Sequence, residues 1–184
     1  KVGFVKSYAH AREADERFAS RLAARFDYLI RDDIQLGYVG RKLDFIGVNY
    51  YFSDRYKGFK MVHENEQVSD LGWETRPEDL VHVLRRLGKR KKPIIITETG
   101  LADSRDALRK EWLNGTIRAM QIALEEGVNI QGYLHWTLFD NFEWAYGRWP
   151  RFGLIEIDYE NELKRIPRRS AVYYAAVVKK ARGL

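Results

Sequence analysis

Pro93-Ile94-Ile95-Ile96-Thr97-Glu98-Thr99-Gly100 is a continuous β-branched run that ends on a carboxylate and a glycine. Its apolar residues do not alternate with polar ones. Residues 94–97 therefore read as a strand buried on both faces, as in a parallel sheet. Residues 2–5, 45–50 and 133–138 read as three further strands. Helical patterns lie between them. Residues 15–30 carry Phe18, Leu22, Phe26 and Leu29 at three- and four-residue spacing, and Pro77 opens and Gly88 closes a helix over 78–87. Ser104 or Asp106 can cap a long helix that runs to Glu126 and stops at Gly127. Residues 170–182 form the last helix, with basic residues in its final turns. The order β-α-β-α-β-α-β-α predicts a parallel sheet with helical crossovers. Four such units make half of an eight-stranded (β/α)₈ barrel; an open four-stranded sheet is the alternative.

The chain has 184 residues, 45% of them apolar, enough for one ordinary domain. A complete barrel takes about 250 residues, so length does not distinguish a whole small domain from part of a larger one. The absence of cysteine excludes a disulfide framework, a cysteine-based zinc site and a thiol nucleophile. No apolar run approaches the roughly 18 residues a membrane span needs, and no leader pattern opens the chain. Residue 1 is Lys rather than Met, so the native start can lie upstream. A cytoplasmic protein without a membrane is the expectation. The formal charge is +6, and the densest basic run is Lys89-Arg90-Lys91-Lys92. Four residues are a short run, so it reads as a solvated turn rather than a nucleic-acid patch. Two long loops, 51–77 and 139–168, follow strand ends, where barrel enzymes place their sites. Residues 154–165 read as a hairpin turning at Glu160-Asn161.

Glu98, at the mouth of a rigid parallel strand, is a candidate catalytic carboxylate, with Gly100 allowing a sharp turn beyond it. A helix-capping or surface acid is the competing reading. Trp136-Thr137-Leu138-Phe139-Asp140-Asn141-Phe142-Glu143-Trp144 mixes aromatics with acids and an amide. That mixture suits a sugar, whose C–H faces stack on indole and whose hydroxyls donate to carboxylates. Asn49 and Tyr51, two apart at a strand end, face one side together, where Tyr51 can donate to a carboxylate and hold it ionised. His10, His63, His82 and His135 are scattered, without ligand spacing, and no metal or cofactor is implied. His135 precedes Trp136 in a strand and so points toward the helices.

Asp44-Phe45-Ile46-Gly47-Val48-Asn49-Tyr50-Tyr51, Ile96-Thr97-Glu98-Thr99-Gly100 and Trp136 through Trp144 resemble three successive signatures of glycoside hydrolase family 1. Arg151-Phe152-Gly153-Leu154 and Asp158-Tyr159 resemble the segment that follows, and order and spacing agree across nearly all of the chain. The resemblance implies that residues 1–184 are the C-terminal half, strands five to eight, of one (β/α)₈-barrel glycosidase domain. It implies Glu98 as nucleophile and Tyr51 as the tyrosine that hydrogen-bonds it. It places Asn49 along the site and Trp136 as the floor under the sugar. Glu143 and Trp144 then grip outer hydroxyls, and Phe152 forms an aromatic wall. Thr99 departs from the family's usual asparagine, which leaves the nucleophile's local hydrogen bonding open.

A retaining glycosidase needs two carboxyl groups about 5–5.5 Å apart, one the nucleophile and one the general acid/base. The resemblance places the acid/base in an Asn-Glu-Pro motif on the fourth strand, and no such motif occurs here. Glu143 is the alternative acid, but a carboxylate that holds hydroxyls stays ionised, whereas a general acid needs a raised pKa. The implied reaction is hydrolysis of terminal β-glucosides with retention, β-galactosides and β-fucosides being further substrates. It requires an N-terminal half-barrel polypeptide or segment, without which the chain is inactive. The rival is a catalytically incomplete, sugar-binding half-barrel that self-associates through its open edges into a homo-oligomer.

Overall fold

The computed structural model describes residues 1–62 and 67–183, and within these it leaves the Arg41 side chain aside. His63, and part of the loop 51–77, fall outside the described residues. Along the chain run β1 (Gly3–Ser7), β2 (His10–Glu13), α1 (Phe18–Tyr28), α2 (Ile34–Val39), β3 (Phe45–Tyr50), β4 (Ser53–Lys57), β5 (Lys60–Val62) and α3 (Leu80–Gly88). They continue with β6 (Ile94–Thr99), α4 (Arg109–Glu125), β7 (Ile130–His135), β8 (Ile155–Asp158), β9 (Lys164–Pro167) and α5 (Arg169–Ala181).

Strands β1, β3, β6 and β7 form one parallel sheet in chain order. The expected alternation of strand and helix is therefore observed. Ile46, Val48, Tyr50, Ile94 and Ile96 are fully buried in a core shared with Leu80, Leu84 and Leu87 of α3 and Trp112 of α4. The leucines recur at four- and three-residue spacing, which puts them on one helix face. Burying each such aliphatic side chain contributes roughly 1.5–3 kcal/mol. On the sheet's other face, a Cβ at Gly47 would lie 2.5 Å from Val5 Cγ2, so only glycine lets β1 and β3 sit this close.

Several boundaries differ from the expectation. β7 begins at Ile130, which pairs with Ile94, and ends at His135, where the expected strand was 133–138. Polar Gln131 and small Gly132 hide its start from an apolar count. Helix α1 begins at Phe18, and the stripe that predicted it faces outward: Phe18, Phe26 and Leu29 are exposed, while Ser20, Ala23 and Ala24 are buried. Asp103, rather than Ser104 or Asp106, accepts the Leu108 and Arg109 N–H groups at the start of α4. Asp106 instead accepts the Ser170 N–H at the start of α5, 2.9 Å away. Strands β8 and β9 form the expected hairpin, extended to Pro167. A small sheet, β2-β4-β5, went unread because its strands are short and polar. Among the described residues, no helix is long and apolar enough to cross a membrane. Lys89, Arg90 and Lys91 form the expected exposed turn, and Arg90 pairs with Asp33 at 3.0 Å.

His135 points toward the helices, as alternation required, with its ring 5.6 Å from that of Tyr174 on α5. Burial, and then the Arg109 charge, push its pKa from 6.5 down to about 3. The unfolded chain therefore takes up a proton here that the folded chain refuses. Stability from this group is intact above about pH 6.5 and falls as the pH drops toward about 3. His135→Gln should flatten that part of the stability profile. Urea midpoints at pH 7 and pH 4.5 measure it, and an unchanged difference between the two would refute the assignment.

Candidate active site

The C-terminal ends of β3 and β6 lie side by side, with Asn49 in register with Glu98. The register shifts between Val48 and Asn49, and on the far side of β6 between Ile96 and Thr99. These irregularities release the strand end from strict alternation. Thr97 donates its hydroxyl to Asn49 Oδ1 at 2.7 Å, whereas Thr99, fully buried, accepts the Trp112 indole N–H at 3.2 Å. Thr99 therefore belongs to the helix side, and its hydroxyl is engaged there rather than at Glu98.

Glu98 is half-buried and accepts the Tyr51 hydroxyl at 2.7 Å. Tyr51 lies one residue past β3. Its own burial, the bond to Glu98, the Glu98 charge and the Glu143 charge all hold the phenol well above its ordinary pKa. It is thus a permanent donor, and two carboxylates act on one hydroxyl. The Tyr51 ring meets Phe152 edge-on at 6.0 Å and Trp73 at 6.0 Å. Phe152 is only 1% exposed, so it backs Tyr51 rather than presenting an open face. Trp73 went unsingled in the sequence; an aromatic in the long loop after β3 was the available signal.

Trp136 directly follows β7. Its N–H donates to the Thr99 carbonyl at 2.8 Å. A Cβ at Gly100 would lie 1.7 Å from the Trp136 carbonyl oxygen. Gly100 is thus required by close approach of Trp136, not by the sharp turn expected from sequence. Glu143 is half-buried and accepts the Asn141 amide at 2.8 Å. Trp144, 84% exposed and with φ of 46°, stands at the loop tip outside the packed group.

Asp140, grouped with the sugar-contacting acids by sequence, has a different place. It is buried and takes both Arg168 Nη1 (2.9 Å) and Nη2 (3.1 Å), together with the Gly153 N–H (2.9 Å). It anchors the base of the loop. The histidines are not all scattered either: His10 and His82 stack at 4.3 Å.

The profile of glycosyl hydrolase family 1 matches residues 20–183. The chain belongs to glycosyl hydrolase family 1. Among family members, it is 40% identical over 143 residues to a chloroplastic β-glucosidase-like protein of Oryza sativa subsp. japonica, covering 74% of this chain and 22% of that protein. It is 36% identical over 167 residues to a β-galactosidase of Saccharolobus solfataricus (81% of this chain, 33% of that one). A crystal structure of Fpglu1 from Fervidobacterium pennivoraus superposes with a TM-score of 0.89 at 29% identity, covering 97% of this chain and 44% of that one. A Thermotoga maritima β-glucosidase in complex with glucoimidazole gives 0.87 at 28% identity, covering 97% and 51%. The four-stranded parallel sheet therefore matches part of the (β/α)₈ barrel of family 1 β-glucosidases. The chain spans between about a fifth and a half of the length of these relatives.

If Tyr51 holds Glu98, its loss should slow catalysis. If the chain works as part of a longer family 1 hydrolase, Tyr51→Phe in that protein should lower kcat by roughly 10- to 100-fold with little change in KM, as expected when a group that positions a catalytic one is lost. A purely structural tyrosine would lower stability and leave kcat alone.

Proposed function

We propose that this chain provides strands five to eight of a retaining β-glycosidase that hydrolyses terminal β-glucosides, with β-galactosides and β-fucosides as further substrates. The observation that carries the reading is the 2.7 Å bond from Tyr51 to Glu98, beside a second carboxylate, Glu143, close enough for its charge to act on the same phenol. Glu98 attacks the anomeric carbon while an acid from the N-terminal segment protonates the leaving oxygen. The same residue, then a base, activates water, which hydrolyses the glycosyl-enzyme with net retention. Trp136 gives the sugar an apolar floor, Asn49 and Glu143 take its hydroxyls, and Trp144 closes the outer side. A carboxylate at Glu143 disfavours a phosphorylated sugar by like-charge repulsion.

A 2-deoxy-2-fluoro glucoside with an activated leaving group tests this. In the completed barrel it should label Glu98 and no other residue, read by peptide mass. Label on Glu143, or none at all, would end the proposal.

A second reading is self-association. Val5 in β1 and Val2 just before it, and Leu134 in β7 and Leu138 just after it, are exposed on the two edge strands of the sheet, and a related hyperthermophilic β-glucosidase mutant forms a dodecamer in its crystal. Mass in solution separates the readings: an N-terminal partner of similar size favours the completed barrel, whereas multiples of this chain favour self-association.

A further inference from the structure

The residues His10, Asp79 and His82 are distinct from those grouped around Glu98. His10 starts β2, Asp79 stands at the entrance to α3, and His82 is one turn further on. Asp79 and His82 are three apart at a helix start and so share a face. Each of the three offers one ligand atom, and these atoms lie within 4.8 Å of one another.

The protonation of His10 is fixed by its neighbour. The Tyr28 hydroxyl donates its single hydrogen to the Ala11 carbonyl at 2.8 Å. Tyr28 is also hydrogen-bonded to His10 Nδ1. With its hydrogen already committed, Tyr28 can only accept there, so His10 Nδ1 carries the proton. Nε2 is then left with a free lone pair. A metal-binding imidazole is held in just this way, with one nitrogen donating to a fixed oxygen and the other facing the ion. Asp79 is prepared likewise: Ser53 donates to its Oδ2 at 2.7 Å, and Arg12 Nε lies 3.8 Å from the same oxygen. Among the described residues, no such contact falls on Oδ1. His82 is exposed, so an ion can enter from solvent and keep a water.

We propose that His10, Asp79 and His82 form a binding site for one divalent transition-metal ion, of which zinc is the best fit. Two imidazoles and a carboxylate are a normal zinc set, with Zn–N and Zn–O distances of about 2.0–2.2 Å and a fourth position for water. The atoms must close from their present spacing, and the exposed His82 ring must leave its stack on His10 to do so. The bound ion ties β2, and with it the small sheet β2-β4-β5, to helix α3. It acts as a clamp between these elements. Arg12 beside Asp79 tempers the affinity.

Zinc chloride titrated calorimetrically into the metal-free chain should show one ion per chain. Cobalt in its place should give the visible bands of a four-coordinate ion. His82→Ala, a change at an exposed position, should keep the fold and weaken zinc binding by at least about tenfold. Tyr28→Phe, which removes the acceptor for His10 Nδ1 together with the donor to the Ala11 carbonyl, should weaken it by roughly 10- to 100-fold. Zinc should also raise the melting temperature of the parent chain and not that of His82→Ala. Equal affinity in the parent chain and His82→Ala would overturn the site, and so would cobalt spectra of a fully hydrated ion.

Discussion

Replacing Glu98 by Gln in the completed enzyme should lower kcat for aryl β-glucosides by roughly 10⁴- to 10⁶-fold, the range expected when a covalent nucleophile is removed. The substitution keeps the size and the Tyr51 contact, so substrate affinity should change little. The complementary test is Glu98→Gly with added azide. The small anion can enter the vacated space and attack from the same face, which gives an α-glycosyl azide and inverts the anomeric centre once. An activated leaving group makes the missing nucleophile the only obstacle. Activity of Glu98→Gln within tenfold of the parent would remove Glu98 from its role, and azide without effect on Glu98→Gly would argue the same.

The second large effect is on stability. Asp140→Ala should destabilise the chain by about 3–5 kcal/mol, because it strips the bidentate carboxylate from Arg168, which is buried beside Gly153. The Gly153 N–H loses its acceptor at the same time. For a chain of this size that corresponds to a fall in melting temperature of about 6–20 °C. Arg168→Met should be comparably damaging alone. The double variant should recover part of the loss, because neither charge is then left alone. Thermal scans of the three variants check this, and a drop of less than about 3 °C for Asp140→Ala would contradict it.

These two acids show what could and could not be read from sequence. The place of Glu98 at a strand mouth was legible because it closes an isoleucine run whose burial is dictated by composition. The helix–strand order was legible for the same reason, since leucine spacing in α3 and the β-branched strand are local signals. Asp140 was not: its neighbours in sequence are aromatic and polar, as in a sugar site, but its partner Arg168 lies 28 positions away. Only the fold brings them together. Helix α1 illustrates the same limit. Its large apolar residues recur correctly, yet small Ala23 and Ala24 make the close contact and the large ones face outward. The His10–His82 pair was hidden because its members sit on β2 and α3, far apart along the chain.

The loop after β7 is divided in its packing along its length. Its root, at Asp140, is cross-tied to Gly153 and Arg168, while Phe142, Trp144, Tyr146 and Trp149 project from its outer stretch with little packing. On the proposed reading, the residues that meet the sugar can therefore drift without loosening what keeps the polypeptide folded. A library randomised over 142–149 should yield folded variants at nearly every position, with altered sugar preference as the trait that varies.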